Sequence, residues 1–365
     1  MKYIVALSAV ILAASAMPTE IGREAATLNG TRNSWSALTG FATLQGGTYG
    51  GAGGAVWTVW DAWALRDAIS TDNPRIVNVR GRIDLTTLFT SSPGVSLRVG
   101  NFKTINGGDR DAMIYGGGLK LYNGRQVIIQ NIKFHNALSY APGEQPDGNG
   151  GIVSQVAGAF SAVCGVDIDA STHVWVSHCN FADDPWVAIN IPENQRRHNG
   201  LVTVKRGSNY ITISNNIFRN HNMNLLVGHA DDNAAMDIGK LKVTFVLNWF
   251  QGTVQRNPTV RYGEVHVLNN LYTDISSYGI GVAAGGRIYA ERNHFINTRR
   301  AWGWASGIPY LLGFLLNYNN LLTNSAFDSG ITGSNVGFTP SQYYQYTPMA
   351  NSQVEAHCRT FAGVI

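Results

Sequence analysis

The sequence is poor in charge, in cysteine and in long apolar runs. Only 14% of its 365 residues are charged, and its three cysteines are Cys164, Cys179 and Cys358. An odd cysteine count leaves at least one thiol unpaired within the chain, so we predict a fold that does not depend on disulfides, and a bridge between any two of the three stays open. No segment after the N-terminal region approaches the 18 or so apolar residues of a membrane-spanning helix. We therefore expect no membrane association of the mature protein.

Several common site signatures are also missing. The Gly-rich run 46–55 lacks the Lys-Ser/Thr pair of a phosphate-binding loop. The histidines His173, His178 and His229 have no zinc-type spacing, so we interpret them as hydrogen-bonding residues. A polysaccharide hydrolase would need a compact set of aspartates for acid and base work, and Asp183-Asp184 is little support for one. These absences argue against nucleotide, zinc and hydrolase chemistry.

The first residues are typical of an exported protein. Lys2 precedes an apolar run over residues 3–14, and Ala14-Ser15-Ala16 is a small-residue cleavage site. This pattern predicts a secretory signal peptide over residues 1–16. Residues 17–365 would then form one mature, secreted domain, because nothing in them is typical of a linker.

A loose eight-residue phrase recurs along the chain. Each copy alternates apolar or β-branched residues, turns at Asn or a polar pair, and closes on an aromatic residue. The copies are VIIQNIKF (127–134), VWVSHCNF (174–181), ITISNNIF (211–218), VTFVLNWF (243–250), VHVLNNLY (265–272) and IYAERNHF (288–295). The closing aromatics are 47, 37, 32, 22 and 23 residues apart. A repeat of this length with insertions is typical of stacked coils.

The repeat predicts an all-β fold, a single-stranded right-handed parallel β-helix. Asn tolerates the left-handed backbone conformation at a corner and can bond the next coil as a ladder, while the aromatics stack inside. A β-sandwich is the alternative, but its strands would not repeat one phrase in register. We expect a core over about 40–300, and a tail from Ser306 to Ile365 that loses the repeat and packs outside or at the far end. Segment 61–70 predicts a short capping helix, with Asp61 as N-cap and Ala62, Leu65, Ala68 and Ile69 on one face.

The segment 240–270 contains two strand-like runs joined by Arg256-Asn-Pro-Thr-Val-Arg261, with no carboxylate beside either arginine in the sequence. An unneutralised arginine pair suits chemistry on an anionic polymer. Together with GFATLQGGTYGGAGG, NFKTINGG, STHVWVSHCNF, GSNYITISNNIF and LLVGHADD in the same order, this segment resembles polysaccharide lyase family one, the pectate and pectin lyases. The resemblance covers roughly residues 40–297. It implies a parallel β-helix with a cleft beside one sheet, and β-elimination on α-1,4-galacturonan.

The resemblance also implies roles for single residues. Arg256 corresponds to the base that removes the C5 proton, and Arg261 to the arginine that binds substrate or holds the geometry. The family's pectate lyases use calcium held by carboxylates. Here those ligand positions carry other residues, namely Ala162, Cys164, Asn199 and Thr203. The substrate lysine position holds Met223, and the aspartate of the VWVDH phrase is replaced by Ser177. Calcium is thus expected from the family, but its usual ligands are absent.

Three hypotheses remain. The first is a lyase acting by an altered route, such as metal-free elimination on methylated pectin, with Trp186, Trp302 and Trp304 forming an apolar cleft. The second is calcium held by relocated acids, although we favour solvated or corner-bonding roles for them. The acids concerned are Asp147, Asp167, Asp169, Asp183, Asp184 and Glu193. The third is a catalytically impaired pectin-binding or structural β-helix.

Basic residues lie next to the replaced calcium positions. They are Arg196, Arg197, His198, Lys205 and Arg206. Their cations would replace the metal by contacting the uronate directly, or they would simply form an exposed loop. We predict a secreted monomeric lyase for pectin or polygalacturonate, without nucleic-acid or membrane partners. Its catalytic residue would be Arg256, and its substrate-binding residues Arg261, Arg197, Lys205 and Trp186.

Overall fold

Short strands follow one another around a triangular path, and each circuit stacks on the one before. The computed structural model describes residues 37–88, 95–138, 163–184, 198–305, 313–333 and 335–365. The predicted signal peptide lies outside these residues. Within them the strands, numbered β1–β27 in chain order, form three sheets in which neighbouring strands are parallel. Parallel pairing throughout agrees with the predicted β-helix and excludes the sandwich alternative.

Sheet 1 has ten strands. They are β1 Ala55–Val59, β2 Arg75–Val79, β5 Lys103–Gly107, β8 Arg125–Gln130, β11 Thr172–Ser177, β14 Asn209–Ser214, β17 Val243–Val246, β20 Glu264–Leu268, β23 Arg287–Glu291 and β26 Phe314–Tyr318. Sheet 2 has nine strands. They are β3 Arg82–Asp84, β6 Met113–Tyr115, β9 Lys133–His135, β12 Asn180–Ala182, β15 Ile217–Arg219, β18 Trp249–Gln251, β21 Leu271–Thr273, β24 His294–Ile296 and β27 Leu321–Thr323.

Sheet 3 has eight strands. They are β4 Val95–Val99, β7 Gly117–Tyr122, β10 Val166–Asp169, β13 Val202–Lys205, β16 Leu225–Val227, β19 Thr259–Val260, β22 Ile280–Val282 and β25 Trp302–Trp304. The helices in the described residues are α1 Ala62–Ile69, α2 Ala234–Asp237 and α3 Asn351–Phe361. None of them is long and apolar enough to cross a membrane.

The aromatics that close the repeated phrase stack inside the coils. Ring centroids of successive members are 4.3–5.2 Å apart and their planes are nearly parallel. The stack consists of Phe134, Phe181, Phe218, Phe250, Tyr272 and Phe295. All six rings are buried in one continuous apolar core. The predicted internal stack is therefore confirmed, and offset ring stacking adds to the stabilisation from burial.

At the corner between sheets 1 and 2, two adjacent residues have different roles. The first adopts the left-handed conformation, with φ 55° at Asn215, 58° at Leu247 and 50° at Arg292. The second builds a hydrogen-bonded ladder. Asn248 Nδ2 donates to Asn270 Oδ1 over 2.9 Å, and Asn248 Oδ1 accepts from Asn216 Nδ2 over 3.0 Å. The ladder was predicted; its separation from the left-handed position was not.

Helix α1 closes one end of the coil stack. The Asp61 side chain accepts a hydrogen bond from the Ala64 amide over 2.8 Å. Its buried face consists of Ala62, Leu65, Ala68 and Ile69. The capping helix and its N-cap are thus as predicted, because apolar periodicity and a capping carboxylate are local signals.

The predicted end of the repeat was wrong. Strands β26 and β27 add another coil, in which Leu315 pairs with Ile288 and Leu322 with Phe295. The phrase LLNYNNLL (315–322) closes on Leu322 instead of an aromatic residue, which is why the sequence pattern missed it. Beyond this coil the chain does pack outside. Helix α3 buries Val354 and Cys358 against the outer side of sheets 1 and 2.

Candidate active site

Sheet 3 presents an outer face that carries several charged residues. Along each strand the core takes alternate residues, for example Val166 and Ile168 in β10, and the residues between them point outward. Strand register aligns these outward positions into what we call the first outer row. It runs through Lys120, Asp167, Thr203, Leu226, Thr259, Gly281 and Gly303.

A second outer row lies beside the first. It aligns Tyr122, Asp169 and Lys205. The ladder continues past the strand ends, because the Gly228 amide donates to Val204 O over 2.9 Å and the Arg261 amide donates to Val227 O over 2.7 Å. A Cβ at Gly228 would lie 2.7 Å from the Arg261 Cβ, so the close approach requires glycine there. The structure thus brings Lys205 and Arg261, which are far apart in the sequence, into one row.

Arg256 lies in the connection that leads into β19. Its backbone is fixed, because Arg256 O accepts from the Leu225 amide over 2.7 Å and the adjacent Asn257 side chain bonds Thr253 and Tyr278. The position corresponding to the family's substrate lysine is next to it, since Met223 pairs with Gln255. The Arg256 side chain is half-buried and forms no hydrogen bond or ion pair with any described residue. Arg256 therefore has a fixed backbone, and its guanidinium donors are unpaired among the described residues.

Arg261 differs from Arg256, so the prediction of two unneutralised arginines was wrong. Its Nε lies 2.5 Å from Asp231 Oδ1, and its Nη1 lies 3.4 Å from Gly228 O. Asp231 is 30 residues away in the sequence, in the loop after β16. An ion pair of this kind holds the guanidinium in place and compensates its charge. Arg261 is therefore suited to holding the geometry.

Lys205, predicted to bind substrate, already contacts carboxylates. Its Nζ lies 2.9 Å from Asp167 Oδ1 and 3.9 Å from Asp169 Oδ2. Lys120 Nζ approaches Asp167 Oδ2 at 3.9 Å, and Arg206 Nε bonds Asp169 Oδ1 over 2.7 Å. Lys205 and Arg206 are therefore paired with carboxylates, which neither of the two alternatives for them included. The same contacts occupy Asp167 and Asp169, which therefore do not form a relocated calcium site.

The positions that correspond to calcium ligands do not fit a calcium ion. Thr203 Oγ1 bonds Asp167 Oδ1 over 2.7 Å and lies 3.7 Å from Cys164 Sγ. Burial, and then the Asp167 carboxylate, raise the pKa of the Cys164 thiol to about 11, so it is neutral at ordinary pH. Asn199 uses its backbone oxygen to bond His221, and Ala162 lies outside the described residues. Calcium prefers six to eight oxygen ligands, several of them carboxylates, and among the described residues no group of three or more His, Cys, Asp or Glu side chains is arranged to hold a metal ion.

Asp183 is part of a buried cluster that sequence reasoning missed. Its Oδ2 lies 2.5 Å from His221 Nδ1 and 3.2 Å from His198 Nδ1, and all three side chains are buried. Burial alone raises the pKa of Asp183, but the two histidines outweigh it and hold that pKa well below its usual range. His221 is 38 residues from Asp183, so no local pattern could have paired them. Asp183 is therefore a buried acid bonded to two histidines and not a solvated one.

The predicted tryptophan cleft is not supported where the structure describes it. Trp302 is fully buried against Phe295, and Trp304 packs against the same core. The outward residue of β25 is Gly303, because a one-residue shift along a strand exchanges the two faces. Trp186, Arg196 and Arg197, with the acids Asp147 and Glu193, lie outside the described residues.

Comparisons with known proteins agree with this architecture. The family model described as pectate lyase matches residues 1–364. Pectate lyase E of Dickeya chrysanthemi is 33% identical over 313 residues, which cover 80% of this chain and 74% of that protein. A solved pectate lyase from Bacillus sp. N165 in complex with trigalacturonate is 27% identical, with TM-score 0.73 over 90% of this chain and 99% of that one. A mutant pectate lyase of Bacillus subtilis shares the fold, with TM-score 0.76 at 24% identity over 91% of this chain and 99% of that one. The chain belongs to the pectate lyase family.

Proposed function

We propose that the protein is a polysaccharide lyase that cleaves α-1,4-galacturonan by β-elimination. The observation that carries this proposal is Arg256, whose backbone is fixed by hydrogen bonds and whose guanidinium has no partner among the described residues. It lies at the edge of a charged outer face in a member of the pectate lyase family. The related enzyme solved with trigalacturonate supports polygalacturonate as the substrate class.

In the proposed mechanism Arg256 removes the C5 proton of a uronate. A guanidinium rarely loses its proton, so we assign Arg256 this role from its place in the Arg-Asn-Pro segment that resembles the family's. Arg261, held by Asp231, positions substrate beside the second outer row. The electron pair left at C5 forms the C4–C5 double bond as the C4–O bond breaks, and the departing oxygen takes a proton from water.

The uronate carboxylate gains negative charge in this step and needs compensation. We propose that cations of the outer rows provide it in place of calcium. Lys120, Lys205 and Arg206 oppose only two carboxylates, Asp167 and Asp169, so one positive charge is left over. A dication at this place would have to displace the Lys205 ammonium from both carboxylates.

The alternative is a catalytically impaired β-helix that binds pectin. The observation in its favour is the loss of the calcium ligands, since bound metal contributes several kcal/mol of transition-state stabilisation where it acts. The two functions differ in turnover, because a binding protein would retain oligogalacturonate without forming unsaturated product.

The decisive assay follows the absorbance of the unsaturated product on polygalacturonate and on methylated pectin, each with added calcium and with chelator. We expect activity that chelator leaves intact. Activity on polygalacturonate that disappears with chelator would overturn the metal-free route. Absence of product on both substrates, together with unchanged oligogalacturonate binding by Arg256→Ala, would favour the binding protein.

We further propose a secreted protein that acts as a monomer, without nucleic-acid or membrane partners. The N-terminal apolar segment and the Ala14-Ser15-Ala16 site support secretion. Size-exclusion chromatography with light scattering of the exported protein tests the monomer, and N-terminal sequencing tests cleavage after Ala16. A dimer or an uncleaved N-terminus would contradict these points.

A further inference from the structure

Glycines replace side chains at one end of the first outer row. Gly281 and Gly303 are the outward positions of β22 and β25. A Cβ at Gly281 would lie 2.6 Å from Tyr278 Cε2, and a Cβ at Gly303 would lie 2.7 Å from Arg300 Cδ and Nε. The space above the two glycines is therefore filled by Tyr278 and Arg300, which lie across the outer face instead of projecting from it.

Tyr278 is tied to the Arg256 connection. Its hydroxyl lies 3.0 Å from Thr259 Oγ1 in the neighbouring rung, and its backbone oxygen accepts from Asn257 Nδ2 over 3.1 Å. The tyrosine is only 4% exposed. It is thus a rigid aromatic platform that shares hydrogen bonds with the residue following Arg256.

Arg300 lies on this platform, and no carboxylate among the residues that the structure describes pairs with it. Its guanidinium carbon is 5.6 Å from the Tyr278 ring centroid, a separation at which a cation is attracted to the ring face. Its side chain is half-buried and forms no ion pair with any described residue. A planar guanidinium held this way retains free donors for a carboxylate, which it binds in bidentate geometry.

The distance between Arg300 and the region of Arg256 suits a polymeric substrate. Strands in a sheet are about 4.8 Å apart, so the Gly303 rung lies roughly two such spacings beyond the Thr259 rung on the same outer face. A uronate chain that follows the rows would have a carboxylate within reach of Arg300, whereas a disaccharide seated at Arg256 would not extend so far.

We propose that Arg300, supported by Tyr278, is a substrate-binding subsite for the carboxylate of a galacturonosyl residue remote from the scissile bond. The inference rests on the proposed function for its substrate class. It makes Arg300 a residue that selects for chain length and for free carboxylate, with no part in proton transfer.

The test compares Arg300→Ala with a matched control, Arg299→Ala. Arg299 is exposed and lines a separate groove with Asn297 and Asn324, so its removal changes the net charge equally. With hexagalacturonate we expect Arg300→Ala to raise KM and Kd about tenfold, as loss of one charge-assisted contact does, while kcat is kept. Digalacturonate should show little change, and Arg299→Ala should match wild type on both.

A second variant keeps the charge and moves it. Gly303→Ala places a methyl group where Arg300 now lies, so it should weaken hexagalacturonate binding in the same direction by a smaller factor. Equal behaviour of the Arg300 and Arg299 variants in calorimetric binding of hexagalacturonate would overturn the subsite. Because calorimetry needs no turnover, a protein without lyase activity still tests the subsite, and the two proposals fail separately.

Discussion

The same strand register aligns side chains in the interior of the coils and on the outer face of sheet 3, but the two regions differ in which side chains it aligns. Inside, equivalent positions of successive coils carry the same type of side chain, as in the stacked rings of Phe181, Phe218 and Phe250. Outside, neighbouring rungs differ, and Lys120, Asp167 and Thr203 are aligned in one row. Repetition stabilises the fold because each coil supports the next, and departures from repetition produce the charge pattern of the site.

Removing one ring from the stack should have the largest effect on stability. Phe218→Ala leaves a cavity between Phe181 and Phe250, and we expect a loss of about 3–5 kcal/mol in the free energy of unfolding. Denaturant unfolding measures it. Trp60→Ala, at an aromatic that is 67% exposed, is the control and should cost less than about 1 kcal/mol. Equal losses would mean that the stack contributes nothing beyond ordinary surface packing.

Removing the free guanidinium should affect activity alone. Arg256→Ala should lower kcat by about 10²–10⁴-fold, the usual range for a positioned acid or base, without lowering the melting temperature. Product absorbance and thermal unfolding measure the two quantities. Arg359→Ala, at an exposed arginine paired with Glu355 on α3, should change neither. Full activity of Arg256→Ala would exclude the assigned base.

Asparagine side chains link successive coils both in the interior and at the surface, so the effect of burial on such a ladder can be measured. Asn248→Ala breaks four buried hydrogen bonds and should cost about 2–3 kcal/mol, because its partners are left unsatisfied. Asn297 also bonds the coils on either side, through Asp274 and Asn324, but it is exposed. Asn297→Gly should cost less than about 1 kcal/mol by the same unfolding measurement, since water replaces its partners and glycine tolerates the left-handed φ of 51° at this position. Similar costs would show that burial does not decide the strength of the ladder.

The pairing of Arg261 can be broken without removing the arginine. Asp231→Asn keeps the shape but removes the carboxylate charge beside Arg261 Nε. We expect kcat/KM on polygalacturonate to fall about tenfold as the guanidinium loses its position, which is the scale of one charge-assisted hydrogen bond. Steady-state kinetics measures it, with Asp274→Asn as the control at an exposed acid. An increase in kcat/KM would show that the uncompensated charge matters more than the position.

Buried thiols should make stability fall at alkaline pH. Burial raises the pKa of Cys164 to about 11 and that of Cys179 to about 12, whereas an unfolded thiol titrates near 8.5. The folded state therefore holds protons that the unfolded state releases, so this stability is complete below about pH 8.5 and is lost as pH rises toward the folded pKa. We expect a loss of about 1 kcal/mol per thiol near pH 9.5. Cys164→Ala and Cys179→Ala should each flatten the slope of unfolding free energy against pH, and an unchanged slope would contradict the assignment.

The repetitive part of the molecule could be predicted in detail, and the charged part could not. Periodic apolar residues, corner asparagines and closing aromatics act locally or on the next coil, so the six rings of the stack were identified correctly. The added coil was missed because Leu322 replaces an aromatic. The tryptophans of β25 were assigned to the wrong face because three residues are too few to fix the phase of a strand.

The sequence by itself determined the coil architecture, the end cap at α1, the family and the position of Arg256 within its segment. Only the tertiary structure decided which cations are free. Arg261 is neutralised by Asp231, 30 residues away, and Lys205 by Asp167, 38 residues away. The physical reason is that electrostatic compensation depends on distance in space, and stacking brings together residues from coils that the sequence keeps far apart.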